Sequence, residues 1–255
     1  MKLKSIYREN IYNIDEVSKL RNFIEEENNC NVNMKITDFK EDNLLINYMF
    51  STNLLTFLQN KLKDEVYFVN SFVIQKNNRT FRKEKYHKDS GKIHQSNILS
   101  KKKNLYGKVG IPLQDNIKGE GGGIDYLRPM ILDNFSDKNL IINKIRAIYY
   151  ILQDKFIDTQ LYSKAGDAIY FSAMLSHRTT LTDKNMLNSI KDKYVIYYQL
   201  TNLNTIIDVL KITRNNSKVS AQDIEEDIII KNFNDNKIKI LNDNISKEVG
   251  HYIGL

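Results

Sequence analysis

Residues 160–180 read QLYSKAGDAIYFSAMLSHRTT. They divide into a short extended piece, a Gly166-Asp167 turn, an apolar and aromatic run, and a loop opening at His177. A glycine supplies the backbone freedom that a sharp reversal needs, and Ile169-Tyr170-Phe171 has the β-branched and aromatic character of a strand. The same character recurs on both sides. DKYVIYYQLT (192–201) is a clear strand, and NLYGKVGIPLQDN (104–116) reads as another, with Pro112 arguing for a sheet edge or a bulge. GEGGG (119–123) is a turn that requires unusual backbone angles, IDYLRPMIL (124–132) is again extended, and EVYFVNSFVIQ (65–75) opens the series. One long amphipathic helix is expected within 137–156, where Leu140, Ile141, Ile145, Ile148, Tyr149, Leu152 and Phe156 recur at helical spacing.

Ahead of these strands the period changes. Ile14, Val17, Leu20, Phe23 and Ile24 lie at helical spacing behind Asn13, a plausible N-cap, and Leu54, Leu55, Leu58 and Leu62 repeat the pattern behind Ser51 or Thr52. The tail from residue 202 is Ile-rich but broken by Asn and Asp, with NKIKIL (236–241) its best strand candidate. The residues therefore predict a mixed α/β, mainly β chain in which a helical N-terminal layer packs on a long mixed or antiparallel β array.

The 255 residues suit one domain with insertions better than two. Apolar content of 41% excludes a disordered chain, and 10 Gly with 2 Pro exclude collagen-like and low-complexity classes. One cysteine, Cys30, excludes a disulfide scaffold and a multi-cysteine zinc site. No apolar run reaches the about eighteen residues of a membrane helix. The start, MKLKSIYRENIYNIDE, has no apolar core of a signal peptide, so the expected setting is cytoplasmic. The net charge of +7 suits an anionic partner, but 31 acidic residues nearly match 38 basic ones, and the richness in Lys, Asn and Ile also fits A/T-rich codons. The Lys101-Lys102-Lys103 run is short and without interleaved aromatics, which counts against a nucleic-acid partner.

Of four histidines, two stand in chemically informative contexts. His87-Lys88-Asp89 follows a strand, and in an extended segment residues i and i+2 point to one side, so both side chains can reach one ion. His177 ends the apolar strand quoted above. Two imidazoles and one carboxylate on one face of an octahedral ion make the facial triad of non-haem Fe(II) oxygenases. Taken alone, His-x-Asp more often describes a structural surface pair. His94 reads as solvated and His251 lies in the tail. Cys30 has no base nearby in sequence. No Walker-type loop, dinucleotide fingerprint or nucleophile elbow is present.

The segment Gly166-Asp167-x-x-Tyr170-Phe171-x-x-x-Leu175-x-His177 resembles the G-D-x-x-x-F…H signature of the phytanoyl-CoA dioxygenase-like family. The order of strand then His-x-Asp, the middle strand with its Gly turn, and the spacing between the two histidines are similar as well, over about residues 65–201. The resemblance implies a double-stranded β-helix (a jelly-roll, cupin-like core), flanked by the helical layer 1–64 and a C-terminal extension 202–255, in one domain spanning 1–255. It also implies Fe(II) held by His87, Asp89 and His177, 2-oxoglutarate as cosubstrate, O₂ as oxidant and a small-molecule substrate. Gly166 and Asp167 would form the turn that aims the strand. The family's arginine for the far carboxylate of 2-oxoglutarate has no counterpart here. The matching position is Lys193, with Lys191 a nearby alternative, and lysine offers a point charge in place of a bidentate fork. Arg178, beside the distal histidine, is a further substitute, although adjacent strand residues point apart.

The family's Gly-Ser-His loop is also absent, since Pro129 is followed by Met130-Ile131-Leu132, so substrate identity does not carry over. Gln114 and Arg128 lie near the expected mouth as candidate substrate contacts. Asp89 stands where halogenating relatives carry a small residue, which favours hydroxylation of a C–H bond. An anionic metabolite would suit the basic balance. The alternatives are a cupin-like metal-binding isomerase or a non-catalytic binding protein on the same barrel, or a basic nucleic-acid-binding protein.

Overall fold

Helix α1 (Ile14–Glu27) starts where the residues dictate. The Asn13 side chain accepts from the amides of Asp15 and Glu16, both at 3.0 Å, and Glu16 reaches back to accept from the Asn13 amide at 2.8 Å. This reciprocal cap satisfies amides that a helix start leaves without partners. Helices α2 (Leu44–Met49) and α3 (Thr52–Leu62) follow, and Leu20, Ile24, Leu45, Met49, Leu54 and Leu58 bury almost completely. Each contributes roughly 1.5–3 kcal/mol by leaving water. The computed structural model describes residues 6–27, 33–40, 42–62, 66–76, 80–89, 106–128, 139–173, 175–189, 192–201, 228–231 and 238–240.

Those helices cover one face of a large antiparallel sheet. Its strands are β1 (Ile6–Asn10), β2 (Asn33–Lys35), β3 (Tyr67–Lys76), β4 (Tyr106–Pro112), β7 (Asp167–Ser172), β9 (Tyr194–Thr201), β10 (Ile228–Lys231) and β11 (Ile238–Ile240). Their order is β1-β7-β4-β9-β3-β10-β11, with β2 also on β3. A smaller sheet orders β6 (Gln160–Leu161), β5 (Ile124–Tyr126) and β8 (His177–Thr179) as β6-β5-β8, and His87 extends it by an isolated bridge to His177. From β3 to β9 the chain crosses repeatedly between the two sheets: β3 large, His87 small, β4 large, β5 and β6 small, β7 large, β8 small, β9 large. This is a double-stranded β-helix, mainly β with a helical N-terminal layer.

The period of two sorts the large sheet's side chains. Val109, Ile111, Ile196, Tyr198, Phe72, Ile74, Ala168 and Tyr170 join the helical core. Lys108, Phe171, Tyr197, Gln199, Val73 and Gln75 line a cavity on the other side. Strand β4 is central between β7 and β9, which corrects the expectation of an edge. Pro112 is tolerated because it is the last residue of the strand, beyond the pairs β4 makes with β7 at residues 107–110. The strand candidate in the tail corresponds to β11.

Helix α4 (Leu140–Phe156) forms as the spacing predicts, capped by the Asn139 side chain. Its apolar residues do not make a core face: Ile141, Ile145, Ile148, Leu152 and Phe156 are exposed, and Gln153 is its one buried residue. The helix is attached through polar bonds. Gln153 Oε1 accepts from the Arg128 amide at 2.9 Å and its amide donates to the Arg128 carbonyl at 3.0 Å. Among the described residues no helix is long and apolar enough to cross a membrane.

Candidate metal centre

The main chains of His87 and His177 bridge antiparallel, each amide donating to the other's carbonyl at 2.9 Å. On its other side His177 pairs with Tyr126 of β5, so it sits inside the small sheet and is 8% exposed. The two imidazole centroids are 4.6 Å apart. Asp89, two residues past His87, completes the group. Its Oδ1 lies 3.7 Å from His87 Nε2 and its Oδ2 lies 3.7 Å from His177 Nε2. One donor atom from each of the three residues lies within 4.8 Å of the others.

Local bonding prepares these side chains for an ion. His177 Nδ1 is 2.9 Å from the Leu175 carbonyl. A carbonyl only accepts, so Nδ1 carries the hydrogen and Nε2, the nitrogen nearer Asp89, keeps a free lone pair. Burial pushes the His177 pKa down, reinforced by the nearby His87 and Lys108, against the Leu175 carbonyl and Asp89, which raise it. The neutral, ligating form is thereby favoured. Asp89 Oδ2 is buried and has no hydrogen-bond partner among the described residues, although the Lys108 ammonium lies 3.0 Å away. A buried carboxylate oxygen left without a hydrogen bond beside two imidazoles fits a cation. Two nitrogens and one carboxylate suit a non-haem ferrous ion.

The triad opens onto a cavity of about 320 Å³ between the two sheets. Phe171 packs against His177 edge to face at 5.2 Å between centroids. Tyr197 lies over Gly110, where an added Cβ would stand 2.8 Å from the tyrosine ring. Lys108, a residue the sequence analysis did not single out, lines the cavity beside Asp89. Period-two alternation along β4 would have found it, because it shares a face with Gly110 and is cross-strand from Phe171 and Gln199.

The other anticipated residues are placed differently. The Lys193 ammonium is buried, 2.9 Å from Glu120 Oε2 and 3.1 Å from the Gly121 carbonyl that accepts from it. The glycine turn, with Gly119, Gly121 and Gly122 at positive φ, carries Glu120 onto it, and Lys193 is not among the described residues lining the cavity. Lys191 lies outside the described residues, as do His94, His251, Cys30 and residues 101–103. Gln114 Oε1 accepts from the Tyr194 amide at 2.6 Å, and Arg128 is exposed with its backbone held by Gln153; neither lines the cavity. Arg178 contributes to the lining, but its guanidinium is engaged by Asp125 Oδ2 at 3.1 Å and Asp154 Oδ1 at 2.8 Å and stacks 4.2 Å over Tyr86.

No model of a known protein family matches the chain, and no curated protein matches it in sequence. Solved structures match in fold. Apo HygX from Streptomyces hygroscopicus superposes with a TM-score of 0.53 at 13% identity, covering 78% of this chain and 83% of HygX. HygX with nickel and 2-oxoglutarate bound gives 0.51 at 12% identity over the same shares. EctD from S. alaskensis with 2-oxoglutarate and 5-hydroxyectoine gives 0.51 at 12%, covering 80% of this chain and 74% of EctD. Likeness at such identity shows the fold, and the fold is the one implied by the family resemblance in the sequence.

Proposed function

We propose that this chain is an Fe(II)- and 2-oxoglutarate-dependent dioxygenase that hydroxylates a C–H bond of a small metabolite. The observation that carries this is the convergence of His87, Asp89 and His177 at a cavity, in a fold whose solved examples include HygX with iron bound and EctD with 2-oxoglutarate and 5-hydroxyectoine. When bound, iron together with 2-oxoglutarate and O₂ supplies the oxidising power that side chains lack.

The chain's own residues do the positioning. His87, Asp89 and His177 would hold the ion through one donor atom each. The Leu175 carbonyl holds the His177 ring in one tautomer and one orientation. Phe171, against His177, and Tyr197, seated on Gly110, form apolar walls that exclude water from the reacting face. At about 320 Å³ the cavity is at the small end of ligand sites, which suits a compact substrate alongside the cosubstrate.

The test is anaerobic addition of Fe(II) and 2-oxoglutarate, followed by O₂ and assay of succinate. Chelation of the 2-oxo acid gives a visible charge-transfer band, and iron-dependent succinate release absent in Asp89→Ala supports the assignment. Wild-type protein with neither band nor succinate overturns it.

A further inference from the structure

The charges around this centre do not balance without one more residue. A ferrous ion, the Asp89 carboxylate and the dianion of 2-oxoglutarate together leave one net negative charge. Enclosing it between two sheets without a counter-cation is costly. Among the described residues, two cations line the cavity, Lys108 and Arg178. The Arg178 guanidinium is committed to two carboxylates, Asp125 and Asp154, outside the triad. Lys193, immediately before β9, where the family resemblance would seek the cation, is neutralised by Glu120.

Lys108 answers the need by geometry. It lies near the middle of β4, hydrogen-bonded into the sheet on both sides, opposite Phe171 on β7 and Gln199 on β9, and both of these also line the cavity. Its ammonium is 3.0 Å from Asp89 Oδ2, next to the metal-ligand set. An ammonium has three donors, so contact with Asp89 leaves others for an incoming anion. We propose that Lys108 recognises the distal carboxylate of 2-oxoglutarate, taking over in this chain the role expected of Lys193, with Gln199 beside it as a neutral donor. The proposal rests on the dioxygenase assignment and adds to it the residue that makes the centre selective for a dicarboxylic 2-oxo acid.

The experiment compares two ligands on the Fe(II)-loaded protein without O₂, using the charge-transfer band. 2-Oxoglutarate carries the distal carboxylate, whereas 2-oxopentanoate has the same carbon chain without it. Lys108→Met is expected to raise the Kd for 2-oxoglutarate on the order of 10–100-fold, the loss of one charge-assisted hydrogen bond, and to leave 2-oxopentanoate within about twofold. Lys108→Arg restores part of the loss, and Lys193→Met leaves both ligands near wild type. Equal weakening of both ligands in Lys108→Met overturns the proposal, because the lysine then acts only through Asp89 and the ion. A selective loss in Lys193→Met in place of Lys108→Met overturns it as well. Wild-type protein that gives no band with either ligand is the distinct result that removes the dioxygenase assignment and this proposal with it.

Discussion

His87 and His177 are joined backbone to backbone, by two reciprocal hydrogen bonds of 2.9 Å, before their side chains meet any ligand. Sheet pairing therefore sets the separation of the two imidazoles, and an ion bound there would have little left to organise. Single removal of a side chain should leave the scaffold intact and remove only a donor.

That gives the first prediction. His177→Ala and Asp89→Ala should each weaken Fe(II) or Ni(II) binding by more than the about 10–100-fold that loss of a supporting partner costs, with the circular dichroism spectrum unchanged. Metal content after dialysis against a weak chelator reads the effect. Wild-type stoichiometry in both variants would be incompatible with the triad.

A second prediction concerns pH. An unfolded histidine titrates near 6.5, and burial holds His177 below that value in the folded chain. Between the two values the unfolded chain binds more protons, so stability rises with pH in that window. The contribution is fully present above pH 6.5 and declines as pH falls below it. Urea midpoints of metal-free protein from neutral to mildly acidic pH should show this slope, and His177→Gln should flatten it. An unchanged slope in the variant would exclude His177 as its source.

Arg178 carries the third. It bridges Asp125 and Asp154, and Asp125 Oδ1 also accepts from Thr180 Oγ1 at 2.9 Å. Arg178→Met leaves the buried Asp125 carboxylate without its cation, and loss of one partner of a buried pair costs about 3–5 kcal/mol. Chemical denaturation should show this loss, and the double variant Arg178→Met/Asp125→Asn should recover part of it. No recovery in the double variant would mean that the two do not act as a pair.

The fourth is a backbone effect. Gly166 has φ of +82°, and a Cβ there would stand 2.2 Å from the Tyr12 carbonyl oxygen. That carbonyl belongs to the chain entering α1, and Gly166 also accepts from the amides of Ile11 and Tyr12 at 3.0 and 3.1 Å. Gly166→Ala should destabilise by more than the about 1–2 kcal/mol of a left-handed backbone alone. A variant as stable as wild type in urea would contradict the close approach.

The strands of the large sheet were legible because one of their faces packs on helices. Val109 and Ile111, like Ile196 and Tyr198, show the alternation that burial on one side imposes. Strand β1, IYREN, was not, because Arg8, Glu9 and Asn10 are exposed on an edge and carry no apolar signature. The clustering of His87, Asp89 and His177 was readable since His-x-Asp is local and the distal histidine ends a distinctive strand. Lys108, between Gly107 and Val109, was overlooked because a single lysine in a strand looks like any solvated lysine, although alternation against the buried Val109 and Ile111 sets it on the opposite face. The ion pair of Lys193 with Glu120 was beyond reach for another reason: the glycine turn that delivers Glu120 has no sequence rule for where it lands. Helix α4 illustrates the converse. Its periodicity was correct and its burial was not, because Gln153 and Asp154 anchor it through specific polar partners.

The edge strand β1, residues 6–10, hydrogen-bonds to β7, residues 167–172. On the ribosome this strand emerges long before β7 and must wait for that partner until most of the barrel has been translated, and the first imidazole of the centre waits similarly for its mate. A polar, charged segment is safer in that interval than an apolar one, since nascent chains with sticky unpaired edges aggregate. Arg8, Glu9 and Asn10, which made this strand so hard to recognise, are well suited to keep it soluble until its late partner arrives.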